Sequence, residues 1–208
     1  MLMKKQVLLA LLTLIPLACM TQEVKHYVHP ENGKTITELS FELQSRELQP
    51  ATLAGPYYAV FIFWNEQKAG MEDRTILTLS MSIDKPYGEM GNSAELIING
   101  KPYTVPFSDR TQETVREKIT IQKGTALTDL PGNHKSKTIS FPKHQIFGIL
   151  DLNQEIRRNM SGMHSLTYRI NIGRRTVTFL FRQGDIRMIQ QFLTMDGKDF
   201  YKANRWCL

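Results

Sequence analysis

The side chains with the most chemistry to offer in this 208-residue sequence are five histidines, two cysteines and a C-terminal excess of arginine. His26 and His29 are close, in His26-Tyr27-Val28-His29-Pro30-Glu31. An extended chain alternates its side chains, so residues three apart point to opposite sides. Joint metal ligation would need a turn at Pro30 that brings in Glu31. His134 lies beside Gly132-Asn133 and His144 follows Pro142-Lys143, contexts of exposed loops, while His164 precedes a strand. No metal and no cofactor are expected. The Gly-x-Ser-x-Gly elbow, His-Glu-x-x-His and the phosphate-binding Gly-x-x-x-x-Gly-Lys-Ser/Thr loop are all missing. Ser161 stands near His164 without a strand–turn–helix context or a defined acid. Asp84 and Glu89 flank Pro86-Tyr87-Gly88, but a glycosidase pair is defined by separation in space, which spacing along the chain does not supply. The expectation is a protein that is not an enzyme, with a hydrolase built from dispersed residues as one alternative.

Charge offers more. The whole chain carries 26 basic and 20 acidic side chains, a net of +6. Residues 19–142 hold 13 basic and 15 acidic groups, a net of −2, whereas 143–208 hold 11 and 5, a net of +6. Arg157, Arg158, Arg169, Arg174 and Arg175 supply much of that excess, and guanidinium groups favour bidentate contact with carboxylate or phosphate. These five are the candidate contacts to an anionic partner, either an envelope protein or an anionic envelope polymer. No nucleic-acid-binding motif accompanies them, so nucleic acid is not expected.

The N-terminus sets the compartment. Met1 to Lys5 is a short basic start, and Val7 to Leu17 is apolar except for Thr13 and Pro16. That run falls short of the roughly 20 residues needed to cross a bilayer and matches a secretory signal peptide over residues 1–18. Leu14-Ile15-Pro16-Leu17-Ala18-Cys19 resembles the lipobox of bacterial lipoproteins, with Pro16 where an aliphatic residue is usual. The resemblance implies that Cys19 is the lipid attachment site and first residue of the mature chain. It implies a membrane-anchored protein of the periplasm or outer membrane, and Met20, in place of an aspartate, points outward. Without lipid, a Cys19–Cys207 disulfide could join the termini.

Residues 19–208 read as one domain, with no repeat and no flexible linker. Period-2 alternation dominates. Leu39, Phe41 and Leu43 alternate with Ser40 and Glu42, and Leu77, Leu79, Met81 and Ile83 alternate with Thr78, Ser80 and Ser82. Tyr57–Trp64 is apolar nearly throughout, the pattern of a central strand covered on both faces. Asn99-Gly100 predicts a two-residue hairpin turn, and Pro102 and Pro106 predict that the returning strand is short or at an edge. Glu117–Gln122 and Lys137–Phe141 read as strands joined by a loop through Asp129–His134. A second hairpin runs from Leu166 through Gly173-Arg174 to Phe181. Two short helices are predicted: Leu152–Met160, capped by Asp151 with Gln154, and a segment capped by Asp185 with Ile186, Ile189 and Leu193 on one face. The fold expected is mainly β, a single-domain antiparallel β-sandwich or open barrel with two short packed α-helices. Its expected role is binding another macromolecule as an assembly partner, adaptor or inhibitor. A β-protein that binds lipid or lipopolysaccharide is the other alternative.

Overall fold

A computed structural model describes residues 22–49, 55–67, 73–83, 88–122 and 136–205, with the backbone alone for 117–122 and 136–142. The elements are β1 (Gln22–Val28), β2 (Thr35–Leu48), β3 (Pro56–Gln67), β4 (Arg74–Ile83), β5 (Met90–Ile98), β6 (Lys101–Gln122), β7 (Ser136–Leu152), α1 (Gln154–Ser161), β8 (Leu166–Ile172), β9 (Arg175–Leu180), α2 (Gln183–Thr194) and α3 (Gly197–Asn204). All strand pairs are antiparallel, in the order β1-β2-β3-β4-β7-β6-β5-β8-β9, and β9 returns to β2. Eight strands therefore close into a barrel. β1 pairs with Thr35–Phe41 of β2, leaving the later part of β2 to meet β9 at Ser45↔Phe179.

The alternation read from the sequence is what fills this barrel. Leu39, Phe41 and Leu43 of β2, Phe61 and Phe63 of β3, Leu77 to Ile83 of β4 at every second residue, and Val177 and Phe179 of β9 are all buried. Tyr168 and Phe179 pack edge-on against Phe61, with centroids 4.9 and 5.2 Å away, and Phe181 adds a third contact at 5.3 Å. The interior is occupied by aromatic side chains, the usual content of an eight-stranded barrel.

Several local expectations change. β3 is central, between β2 and β4, but only one face is covered: Tyr57, Ala59, Phe61 and Phe63 are buried while Tyr58 is exposed. Its outer apolar residues cover the barrel surface and not a second layer. The strand after Asn99-Gly100 is the longest, 22 residues. Its prolines lie where it has one partner, since Pro102 and Pro106 pair with β5 and the β7 ladder begins at Phe107. The turn itself is as expected, with φ of 52° at Asn99 and 82° at Gly100.

Asp151 caps no helix. It stays in β7 and binds Arg74 at 2.6 Å, and Asn153 caps α1 by accepting from the Ile156 N–H at 2.9 Å. Asp185 acts from inside α2, accepting the Arg182 N–H at 2.8 Å. A third helix, α3, starts at Gly197, where the sequence shows only a stop. α1 carries the chain from β7 to β8 across one end of the barrel, and α2 follows β9 at the same end. The opposite end holds the β8–β9 turn, the start of β5 and the outward continuation of β6 and β7.

Candidate functional site

Beyond Pro106, β6 leaves β5 and follows β7 alone, with a register shift between Phe107 and Asp109. The shift turns Arg110, Gln112 and Thr114 onto the face of buried Ile146, opposite Gly148, Ile146 and His144 respectively. Polar side chains thus continue the inward face of the barrel at its mouth, forming one wall of a cleft of about 590 Å³ that Gly88, Glu89 and Met90 complete.

Side chains replace the missing ladder across this split. The Gln112 carboxamide accepts from the Met90 N–H at 3.1 Å and donates to the Gly88 carbonyl at 3.0 Å. The Arg110 guanidinium donates to the Met90 carbonyl and, at 3.2 Å, to that of Gly91. Thr114 Oγ1 lies 2.7 Å from His144 Nδ1. His144 is therefore a half-buried strand residue and not a loop histidine, because the ladder to β4 runs as far as Ile83↔His144. Gly88 holds the far wall with φ of 126°. A Cβ there would lie 2.6 Å from the Gly173 Cα, so the β8–β9 turn packs directly on this edge.

From Val115↔Lys143 to Gln122↔Ser136, β6 and β7 run on as a two-stranded ribbon about 25 Å long, at roughly 3.3 Å per residue. Among the described residues no third strand pairs with it. The register sets Ile119 opposite Ile139 and Glu117 opposite Phe141. Exposed two-stranded ribbons are marginal in water and gain stability from a third strand or a covering surface.

The five candidate arginines do not share one surface. Arg157 and Arg158 line a groove of about 480 Å³ at the helical end with Asp73, Gln154 and Asp196, and Arg157 donates to the Asp73 carbonyl at 3.1 Å. Arg169 lies on the barrel wall, paired with Glu95 at 3.0 Å. Arg174 lies in the turn at the opposite end and Arg175 begins β9 beside it, both separated from α1 by the length of β8. His26 bonds Thr37 Oγ1 at 2.9 Å and stacks on Tyr201, a packing role, while His29 Nδ1 accepts from the Glu31 N–H at 3.3 Å. Ser161 donates to the Arg158 carbonyl and not to His164, which is exposed.

Cys19, Cys207, Asp84 and His134 lie outside the described residues. The cleft residues Arg110, Gln112 and Thr114 were not singled out in the sequence. Read from the chain alone they continue an ordinary polar strand, and only the register shift turns them inward. Among the described residues no helix is long and apolar enough to cross a membrane, which says nothing of strands. Comparison with protein-family models, curated proteins and solved structures finds no match to this chain.

Proposed function

We propose that this chain is a lipid-anchored envelope protein, exported and held at a membrane by Cys19, that binds another macromolecule without catalysing a reaction. The observation that carries the reading is the β6–β7 ribbon, which no third strand joins among the described residues, built on a barrel whose interior is already filled by side chains. Such a molecule offers its outer surface and edges for recognition. The groove containing Arg157 and Arg158 is where an anionic group of that partner would sit, with Arg174 and Arg175 as a separate contact at the other end.

The test has two arms. Intact-mass measurement of the mature chain should find acyl groups on Cys19, and Cys19→Ser should release the protein from membranes. A mature N-terminus beyond Cys19 removes the anchor. A photo-cross-linker at Val115 should join the chain to a discrete partner in cells, and a product indistinguishable from that of a cross-linker at Ser80 on the barrel wall removes the binding role.

One observation favours a hydrolase as a second reading. The Thr114–His144 contact lies in a cleft that also contains Glu89, which supplies a hydroxyl, a base and a carboxylate. Turnover of an activated ester that is lost in both Thr114→Ala and His144→Ala would establish it, and turnover unchanged in either would remove it.

A further inference from the structure

We infer that the edge of β6 from Thr114 outward is a docking strip for an extended segment of a partner polypeptide, which adds as a third, antiparallel strand and carries cations on one face and carboxylates on the other. This rests on the macromolecule-binding reading and names the chemistry of the partner.

The direction of the main chain follows from handedness. In a strand of L-residues, all residues with side chains on one face send their N–H and C=O to the same edge. Before the register shift, inward-facing Val105 lies in the ladder to β5. The Met90 N–H and C=O, from an inward residue of β5, likewise face β6, where Gln112 and Arg110 meet them. After the shift the inward residues are Arg110, Gln112, Thr114 and Arg116, so it is their main-chain groups, continuing through Lys118 and Thr120, that face away from β7. Among the described residues neither β5, which begins at Met90, nor any other strand receives them.

The two edges of the ribbon differ. Pro142, paired with Arg116, occupies a β7 position whose main chain faces away from β6, and a missing N–H there blunts that edge. β6 carries no proline from Phe107 to Gln122. The open edge is therefore the β6 edge. Gln112 shows what this edge accepts, since its carboxamide fills the place of a peptide group against Met90 and Gly88.

A second copy of this chain meets its own charges over most of this strip. Two β6 edges can pair about a two-fold axis only with a residue opposite its own counterpart, because the outward-directed groups recur at every second position. Centred on Glu113 such a pairing sets Arg110 against Arg116, and on Thr114 it sets Arg110 against Lys118. On Val115 it sets Glu113 against Glu117. On Arg116, Glu117 or Lys118 the central residue meets itself. Like charges directly opposite are destabilising, so self-pairing centred anywhere from Glu113 to Lys118 is disfavoured, and centres beyond Lys118 set Thr114 opposite residues outside the described strand. A different chain meets the same charges favourably if its residues opposite Glu113 and Glu117 are basic and those opposite Arg116 and Lys118 are acidic. Period-2 alternation places the first pair on one face of the incoming strand and the second pair on the other.

The experiment uses the full chain and the synthetic peptide TVEKEVTK, written to lie antiparallel to Thr120–Glu113, with TVKEKVTE as its charge-inverted control. Binding is read by fluorescence anisotropy and by amide hydrogen exchange. TVEKEVTK should bind at least about tenfold more tightly than the inverted peptide, a difference that salt reduces. It should slow exchange at Thr114, Arg116 and Lys118, whose N–H groups face the open edge. N-methylation at its third, fifth and seventh residues should abolish binding, whereas methylation at the second, fourth and sixth should not. Combining Glu113→Lys with Arg116→Glu, both exposed positions, inverts two of the four charged pairs and should abolish the preference between the two peptides with melting unchanged. Equal binding of the two peptides, no response to the position of methylation, unchanged exchange at β6, or no binding at millimolar peptide each overturns the proposal. If that happens while the Val115 cross-link to a discrete partner persists, the macromolecule-binding reading stands and strand addition alone is lost.

Discussion

At the scale of single residues the barrel interior sets the largest energies. The hydroxyl of Tyr168 is fully buried beside Phe61 and Phe179 with no hydrogen-bond partner among the described residues, and burial alone pushes its pKa upward. An unpaired buried hydroxyl costs about 1–3 kcal/mol, so Tyr168→Phe should leave stability unchanged or raise it in denaturant unfolding. A clear loss would mean that the hydroxyl has a partner. Leu79 is 1% exposed and Ser80 is its exposed neighbour on the other face of β4. Leu79→Asp should cost about 3 kcal/mol or more by burying an unpaired charge, whereas Ser80→Asp should stay within about 0.5 kcal/mol. Equal losses in thermal unfolding would overturn the assigned facing of β4. That facing was legible in the chain, because the two faces of a strand meet water and core at a period of two. The Thr114–His144 contact was not, because it joins residues 30 apart whose juxtaposition depends on the β6–β7 register.

Among elements, strands were easier to read than helices. Asp185 shows why. Its carboxylate accepts from the Arg182 N–H at the start of α2 and, at 2.7 Å, from the Gln22 side chain of β1. A capping acid was visible in the sequence, but its link to a strand 163 residues earlier was not. Asp185→Ala should lose both contacts and cost about 2 kcal/mol, more than the roughly 1 kcal/mol of a helix cap alone. Hydrogen exchange should then accelerate in β1 as well as in α2, and acceleration confined to α2 would show that the tether contributes nothing. α1 starts two residues later than the capping pattern suggests, because Asp151 is held in β7 by Arg74. α3 was missed because an eight-residue helix is marginal by itself, and packing against β1 and β2 supports it.

For the whole molecule, closure is the step most open to test. β2 and β9 meet through one register pair, Ser45↔Phe179, and side chains reinforce it. Glu47 Oε2 accepts the Thr178 N–H at 2.6 Å across the seam, while Ser45 Oγ accepts the Tyr57 N–H of β3 at 2.9 Å and holds β2 to its other neighbour. Glu47→Ala would leave the Thr178 amide without its charged acceptor, at a cost of about 1–3 kcal/mol. Its exchange should become markedly faster than that of Ile170 in the middle of β8, and unchanged exchange at Thr178 would show that backbone pairing alone closes the barrel. The same scale explains why the arginines of the C-terminal third do not converge. A chain that crosses the barrel between α1 and the Gly173 turn must carry Arg158 and Arg174 to opposite ends, however close they stand in sequence.

Although β1, most of β7 and the single covered face of β3 were not legible, the sequence by itself determined the strands and buried faces of β2, β4, β8 and β9 and where the two hairpins turn. These follow from period-2 alternation and from positive-φ turn chemistry, both of which act within a few residues. Only the tertiary structure decided that the sheet closes, that β6 outlasts its partner β5, and that Arg110, Gln112 and Thr114 point into a cleft. Strand order and register depend on pairing between segments far apart in the chain, and a one-residue shift near Phe107 exchanges the inner and outer faces of everything that follows.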